Sequence, residues 1–126
     1  MTSVLIVDDN ESIRNLISNY FRAQSRFRIV GDASDGEEGI AKALALRPDL
    51  IILDLSMPKK GGVKTAAQIK ELIPGVAIIL FTIHDTSSRD FALRGIDAVV
   101  SKSEGLQKLA AEAGRIANGV PSSHCH

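Results

Sequence analysis

Four apolar residues run without a break at Leu50–Leu53 and stop at a carboxylate, Asp54. The Met57-Pro58 pair that follows cannot continue a regular strand, because proline has no N–H to donate. An uninterrupted apolar run of this length is typical of a strand buried on both faces in a parallel sheet. Sheets of that kind carry their ligand sites at the carboxyl ends of the strands. Taken alone, Asp54 is better explained as a residue that merely ends the strand than as a reactive group.

Other segments of the chain repeat this pattern. Further strands are predicted at 4–7, 27–30, 76–81 and 98–100, and apolar residues at helical spacing follow each strand. The predicted order is therefore five strands alternating with five helices, which demands a doubly wound parallel sheet with right-handed crossovers. We expect one domain over residues 1–119 and a disordered tail over 120–126. The predicted helix at 86–95 has few apolar residues, as expected of a mobile element.

Three helix starts have recognisable caps. Asp9 or Asn10 can cap the first helix, and Asp35 with Glu38 has the spacing of a capping box. Ser103 is expected to cap the last helix.

Composition excludes several classes of protein. The 126 residues are 44% hydrophobic, which fits a globular domain, and 15 basic residues balance 15 acidic ones. Without a basic run, direct nucleic-acid binding by this chain is not expected. No apolar stretch is long enough for a membrane span, no signal peptide is recognisable, and the single cysteine, Cys125, excludes an internal disulfide. These features predict a cytoplasmic protein without membrane contact.

Polar residues of functional type follow four of the five predicted strands: Asp8 and Asp9, then Asp54, Thr82 and Lys102. Each has a simple explanation alone, as a cap, a turn residue or a solvated charge. Because the carboxyl ends of parallel strands share one edge, we expect these residues to lie together there. Three adjacent carboxylates repel one another, and a hard divalent cation relieves that repulsion. The expected cofactor is Mg²⁺, with Mn²⁺ as an alternative.

These residue types suit phosphoryl transfer, in which positioning and charge neutralisation dominate. Asp54 would attack phosphorus and form an acyl phosphate. The acid pair and Asp54 would hold the metal, with the backbone carbonyl of Ser56 as a further ligand. Lys102 would pair with the phosphoryl oxygens, and Thr82 would donate its hydroxyl to the bound group.

In combination these motifs resemble the receiver domain of bacterial two-component response regulators, from Ser3 to about Gly119. The motifs are Val7-Asp8-Asp9, Leu53-Asp54, Met57-Pro58 with Gly62, Thr82 and Lys102. The resemblance implies a flavodoxin-like (βα)5 fold with strand order 2-1-3-4-5. It also implies that a sensor histidine kinase or a phosphotransfer protein phosphorylates Asp54. Phosphorylation would then draw Thr82 inward and repack the face of the fourth helix, fifth strand and fifth helix, a face that also forms receiver homodimers.

The sequence departs from many receivers at two positions. Val99 stands where an aromatic ring often accompanies the switch, so coupling from Thr82 needs another route. Ser103 stands where proline often follows the lysine. Without that proline, the sequence leaves open whether the Lys102–Ser103 bond is cis or trans. The missing proline favours the receiver type that precedes LuxR/NarL-like helix-turn-helix outputs. Ser56 and His84 would flank the path of attacking water and tune the lifetime of the phosphoryl group, although an exposed loop imidazole explains His84 equally well.

The leading function is a signalling switch that catalyses only its own phosphorylation and dephosphorylation, either alone or as the receiver part of a DNA-binding regulator. A phosphohydrolase would need an acid two residues after the nucleophile, where Ser56 stands. A flavin or nucleotide carrier would need a Gly- or Ser/Thr-rich loop after the first strand, but that loop is acidic and would repel phosphate. A pseudo-receiver that is never phosphorylated is a further alternative. His124-Cys125-His126 contains metal-ligand types but is better explained as tail.

Overall fold

The computed structural model describes residues 1–55, 61–83 and 95–117. The strands are β1 (Thr2–Val7), β2 (Phe27–Ala33), β3 (Leu50–Leu53), β4 (Ala77–Thr82) and β5 (Ala98–Ser101). The helices are α1 (Glu11–Arg22), α2 (Gly36–Leu46), α3 (Gly62–Leu72) and α4 (Gly105–Ala117), the last preceded by a short 3₁₀ turn at Lys102–Glu104. Residues 86–94 of the predicted fourth helix, Ser56, His84 and the tail from 118 onwards lie outside the described residues.

The sheet is parallel and has the strand order β2-β1-β3-β4-β5, which confirms the predicted fold class. The Leu50–Leu53 run is the central strand, as its unbroken apolar pattern predicted. The pairing of β1 with β2 shifts by one residue between Val4 and Leu5, whereas β1 pairs with β3 in continuous register. That register sets Val7 beside Leu53, so the residues that follow them leave the sheet at the same point.

Helices cover both faces of the sheet, because alternate strand residues point to opposite sides. On the α1/α4 face the core includes Phe21 and Leu109. On the α2/α3 face it includes Ala43 and Ile69. Within the parts of the chain that the structure describes, no helix is both long and apolar enough to cross a membrane.

The observed helix caps differ from the predicted ones in two cases. Asn10 caps α1: its side-chain oxygen accepts from the backbone N–H of Ile13 at 3.1 Å. Asp35 caps α2 as expected. Glu38, however, does not return to Asp35 in the manner of a capping box; its Oε1 accepts from the backbone N–H of Ser34 at 2.8 Å. These hydrogen bonds hold the pKa of Glu38 below its usual value.

The second difference lies before α4. Ser103 is not the cap of that helix, contrary to the prediction. Ser101 caps the preceding 3₁₀ turn instead, with Glu104 completing a capping box, and α4 begins only at Gly105. Ser101 and Ser103 have the same side chain, so residue type could not show which of them is the cap. No peptide bond among the described residues is cis, and the Lys102–Ser103 bond is therefore trans.

Candidate functional site

Two buried carboxylates meet where β1 and β3 end. The backbone N–H of Asp54 donates to the carbonyl of Val7 at 2.9 Å, which extends the β1–β3 ladder by one residue. Asp8 and Asp54 are 2% and 6% exposed, whereas Asp9 is exposed to solvent. One carboxylate oxygen from each of the three residues lies within 4.8 Å of the other two. The predicted carboxylate cluster is therefore assembled in the structure.

Lys102 extends its ammonium group into this cluster from the end of β5. Its Nζ lies 2.9 Å from Oδ2 of Asp8 and 3.7 Å from Oδ1 of Asp54. The 3₁₀ turn that carries Lys102 is held by the Ser101 capping box, in which the carboxylate of Glu104 accepts from the backbone N–H of Ser101 at 2.9 Å. A local cap thus positions the lysine near two carboxylates that lie far away in the sequence.

Asp8 is held at every polar group. Its backbone N–H donates to the carbonyl of Ala33 at 3.0 Å, and its Oδ1 accepts from the N–H of Asn10 at 2.9 Å. Its Oδ2 pairs with Lys102, and its backbone carbonyl accepts from Nη1 of Arg14 at 2.7 Å. Asn10 was predicted only as a helix cap, and Arg14 was not predicted to take part in the site. The sequence signal that could have indicated Arg14 is a basic side chain one helical turn after the cap.

Thr82 and Val99 lie on β4 and β5, on the side of β3 that faces away from β1. Thr82 is the last residue of β4, is fully buried, and pairs with Ser101 of β5. Val99 pairs with Leu80 and packs, half-buried, against the core on the α2/α3 face. Thr82 therefore occupies the strand end at which it was predicted. The predicted contributions of Ser56 and His84 fall outside the described residues.

Gly62, the first residue of α3, lies directly against the chain that follows β3. Its N–H donates to the carbonyl of Leu55 at 2.8 Å. A Cβ at this position would lie 2.8 Å from Cα of Leu55 and would also collide with the carbonyl oxygen of Asp54. A glycine is needed here because the backbone of α3 approaches the Asp54 backbone more closely than a side chain allows.

The carboxylates line an open cleft of about 290 Å³. Ile13 and Ile83 form its apolar rim, and Ile83 is 74% exposed. Sequence reasoning missed both residues, since an isoleucine after Thr82 reads as a continuation of the buried strand. With all three carboxylates ionised, Lys102 offsets only part of their charge. Oxygen ligands with excess negative charge suit a hard divalent cation such as Mg²⁺.

Comparison with known proteins points to one protein family. A family model described as the response regulator receiver domain matches residues 4–113. The response regulator VraR of Staphylococcus aureus is 38% identical over 109 residues, which cover 85% of this chain and 52% of VraR. This chain thus spans about half the length of that relative.

Solved structures share the fold. A LuxR-family response regulator from Aurantimonas sp. SI85-9A1 has 25% identity and a TM-score of 0.86, covering 94% of this chain and 86% of that one. The signal receiver domain of the putative response regulator NarL from Mycobacterium tuberculosis has 22% identity and a TM-score of 0.87, covering 94% and 97%. The similarity to this LuxR-family protein from Aurantimonas supports the lean towards the LuxR/NarL type. Because the family model matches residues 4–113, the chain belongs to the response regulator receiver domain family.

Proposed function

We propose that Asp54 accepts a phosphoryl group in a Mg²⁺-dependent reaction. The observation that carries this proposal is the cluster of Asp8, Asp9 and Asp54 within 4.8 Å, with the ammonium of Lys102 beside it. One carboxylate in such a group can act as a nucleophile while the others hold a cation that neutralises the incoming phosphoryl oxygens. Membership of the receiver family supports this assignment.

The four groups would divide the work by position. Asp54 is buried at the end of the central strand, and its Oδ1 lies 3.7 Å from Nζ of Lys102. Lys102 would shift from Asp8 to the phosphoryl oxygens once a cation binds Asp8 and Asp9. Mg²⁺ would supply charge neutralisation, and Mn²⁺ has the same preference for oxygen ligands. Thr82, buried beside the cleft, would donate its hydroxyl to the phosphorylated side chain.

Intact-mass measurement after incubation with acetyl phosphate tests the acceptor. We expect a mass gain of one phosphoryl group with Mg²⁺ and none after chelation. Asp54→Ala should abolish the gain, whereas Glu71→Gln, which changes an exposed carboxylate on α3, should retain it. No mass gain in the wild-type chain with Mg²⁺ present would contradict the proposal and favour a receiver that is never phosphorylated.

The proposed physiological donor is a sensor histidine kinase or a phosphotransfer protein. A phosphohistidine would have to approach the cleft past the apolar rim of Ile13 and Ile83. Because Ile83 is 74% exposed, an apolar partner surface can bury it during transfer. Transfer from a phosphorylated kinase domain should therefore slow in Ile83→Asp, while transfer from acetyl phosphate should change less. Equal slowing with both donors would contradict an apolar docking contact.

We further propose that phosphorylation controls a LuxR-type output by way of a receiver homodimer. The similarity to a LuxR-family response regulator from Aurantimonas supports the output, and the family resemblance supports the dimer face. The described part of that face is β5 and α4. Light scattering after chromatography, with and without beryllofluoride and Mg²⁺, tests the dimer. A monomer under both conditions would contradict it.

A further inference from the structure

Arg14 connects three elements of the sheet edge next to the cleft. It lies in α1, and its Nη1 donates to the backbone carbonyl of Asp8 at 2.7 Å. Its Nε pairs with Oδ2 of Asp32, in β2, at 3.0 Å. The side chain of Arg14 is only 14% exposed. The planar guanidinium can serve both partners at once because its donors point in fixed, divergent directions.

The carbonyl of Asp8 and the N–H of Asp9 belong to the same planar peptide unit. A hydrogen bond that fixes this carbonyl therefore also fixes the plane from which the Asp9 side chain departs. Asp9 needs such help more than its neighbours, since it is the exposed member of the carboxylate cluster, whereas Asp8 and Asp54 are buried.

Asp32 is itself held from the other side. Its backbone carbonyl accepts from the ammonium of Lys42, which also lies 3.2 Å from Oε2 of Glu38 in α2. The backbone that carries the Asp32 carboxylate is therefore tied to α2 through Lys42. We propose that Arg14, anchored by Asp32, is a positioning residue that orients the Asp8–Asp9 peptide so that the Asp9 carboxylate reaches a divalent cation shared with Asp8 and Asp54. This proposal rests on the proposed Mg²⁺-dependent function.

Positioning and simple charge effects predict opposite results when Arg14 is replaced. A positive charge near a cation site repels the cation, so its removal in Arg14→Gln should tighten Mg²⁺ binding if charge alone matters. If Arg14 positions the peptide, the same change should weaken binding. Arg14→Lys retains the charge but cannot serve both partners with fixed geometry. It should therefore weaken binding only if orientation matters.

The experiment is a calorimetric titration with Mg²⁺ in the absence of any phosphodonor. We expect Arg14→Lys and Arg14→Gln each to bind Mg²⁺ about tenfold more weakly, the size typical of groups that orient metal ligands. Arg22→Lys, at the exposed far end of α1, is the matched control and should bind as the wild type does. Asp32→Asn added to Arg14→Lys should cause little further loss, because both changes break one link. Thermal unfolding of each variant confirms that it is folded.

A second readout does not depend on the metal. In the metal-free protein, the Asp9 amide resonance should move in Arg14→Lys and stay in place in Arg22→Lys. Wild-type affinity in Arg14→Lys, or tighter binding in Arg14→Gln, would overturn the proposal, as would an unmoved Asp9 resonance. Failure of the wild type to bind Mg²⁺ while that resonance still moves would contradict the proposed function and leave the peptide-orienting role of Arg14 intact.

Discussion

Lys102 and Asp8 form an ion pair across the end of the sheet, with 2.9 Å between Nζ and Oδ2 and with side chains only 15% and 3% exposed. Since the Asp8 carboxylate is also a candidate metal ligand, the ammonium and a bound cation would compete for it. We therefore expect Lys102 to have two opposite effects: it should stabilise the metal-free fold and weaken metal binding.

Replacement of Lys102 by methionine should separate these effects. Without the ammonium, the buried Asp8 carboxylate loses its ion-pair partner, and we expect the free energy of unfolding in Mg²⁺-free buffer to fall by about 3 kcal/mol. Mg²⁺ should bind the variant more tightly and restore part of the stability, although phosphorylation by acetyl phosphate should slow. Urea unfolding with and without Mg²⁺ measures the first two effects. Lys108→Met, an exposed lysine on α4, is the control, and equal stability of both variants without Mg²⁺ would count against the competition.

Gly62→Ala should strain the backbone of Asp54 and Leu55. The new methyl group would lie 2.8 Å from Cα of Leu55, and relief requires the backbone of α3 or of the Asp54 turn to move. We expect a loss of about 2 kcal/mol in unfolding free energy, within the range for overpacking, together with slower phosphorylation of Asp54. Gly75→Ala is the matched control, because a Cβ there meets nothing within 4 Å. If chemical denaturation shows the two variants to be equally stable, the close approach is not a constraint.

The depressed pKa of Glu38 predicts a pH-dependent contribution to stability. Hydrogen bonds from the backbone and hydroxyl of Ser34 favour the charged form, so its folded pKa lies below the unfolded value. The stabilisation is therefore complete above the unfolded pKa and is lost as the pH falls through the folded one. Glu38→Ala should cost about 1 kcal/mol of unfolding free energy at neutral pH, the net size of a typical hydrogen bond, and less in acid. Urea unfolding of the wild type and of the variant at neutral and at acidic pH measures this loss. A difference in unfolding free energy that is constant with pH would refute the assignment.

Asp97 links β4 to α3 at the other side of the sheet. Its Oδ2 accepts from the backbone N–H of Ile78 at 2.8 Å and lies 3.2 Å from Nζ of Lys70. Asp97→Asn keeps an acceptor for Ile78 and should cost less than about 1 kcal/mol, as partly exposed ion pairs do. Asp97→Ala should cost about 2 kcal/mol because the N–H loses its partner. Equal losses in equilibrium unfolding would mean that the ion pair, not the backbone hydrogen bond, matters.

The fold was predictable because unbroken apolar runs and apolar residues at helical spacing extend over whole strands and helices. Leu50–Leu53 had to be a central strand, since no other placement buries both of its faces. The meeting of the carboxylates was predicted because the carboxyl ends of parallel strands share one edge of the sheet, and the structure places β1 beside β3.

What escaped prediction depends on local geometry that residue type does not encode. Ser103 was predicted as the cap and Ser101 was not, because the sequence does not show at which of the two serines the chain turns. Glu38 reaches Ser34 rather than Asp35, because an extended approach to α2 brings the earlier N–H within range. Arg14 could not be assigned to Asp8, since that contact depends on the angle between α1 and the sheet.

The two-sided core has a consequence for how such a domain can diversify. The sheet separates the α1/α4 layer from the α2/α3 layer, and substitutions that far apart usually add independently in their effect on stability. One helical layer can therefore change its surface to suit a new partner while the opposite layer maintains the fold. Since the carboxylates of Asp8, Asp9 and Asp54 lie at the strand ends between the layers, such changes on one helical surface leave this cluster in place.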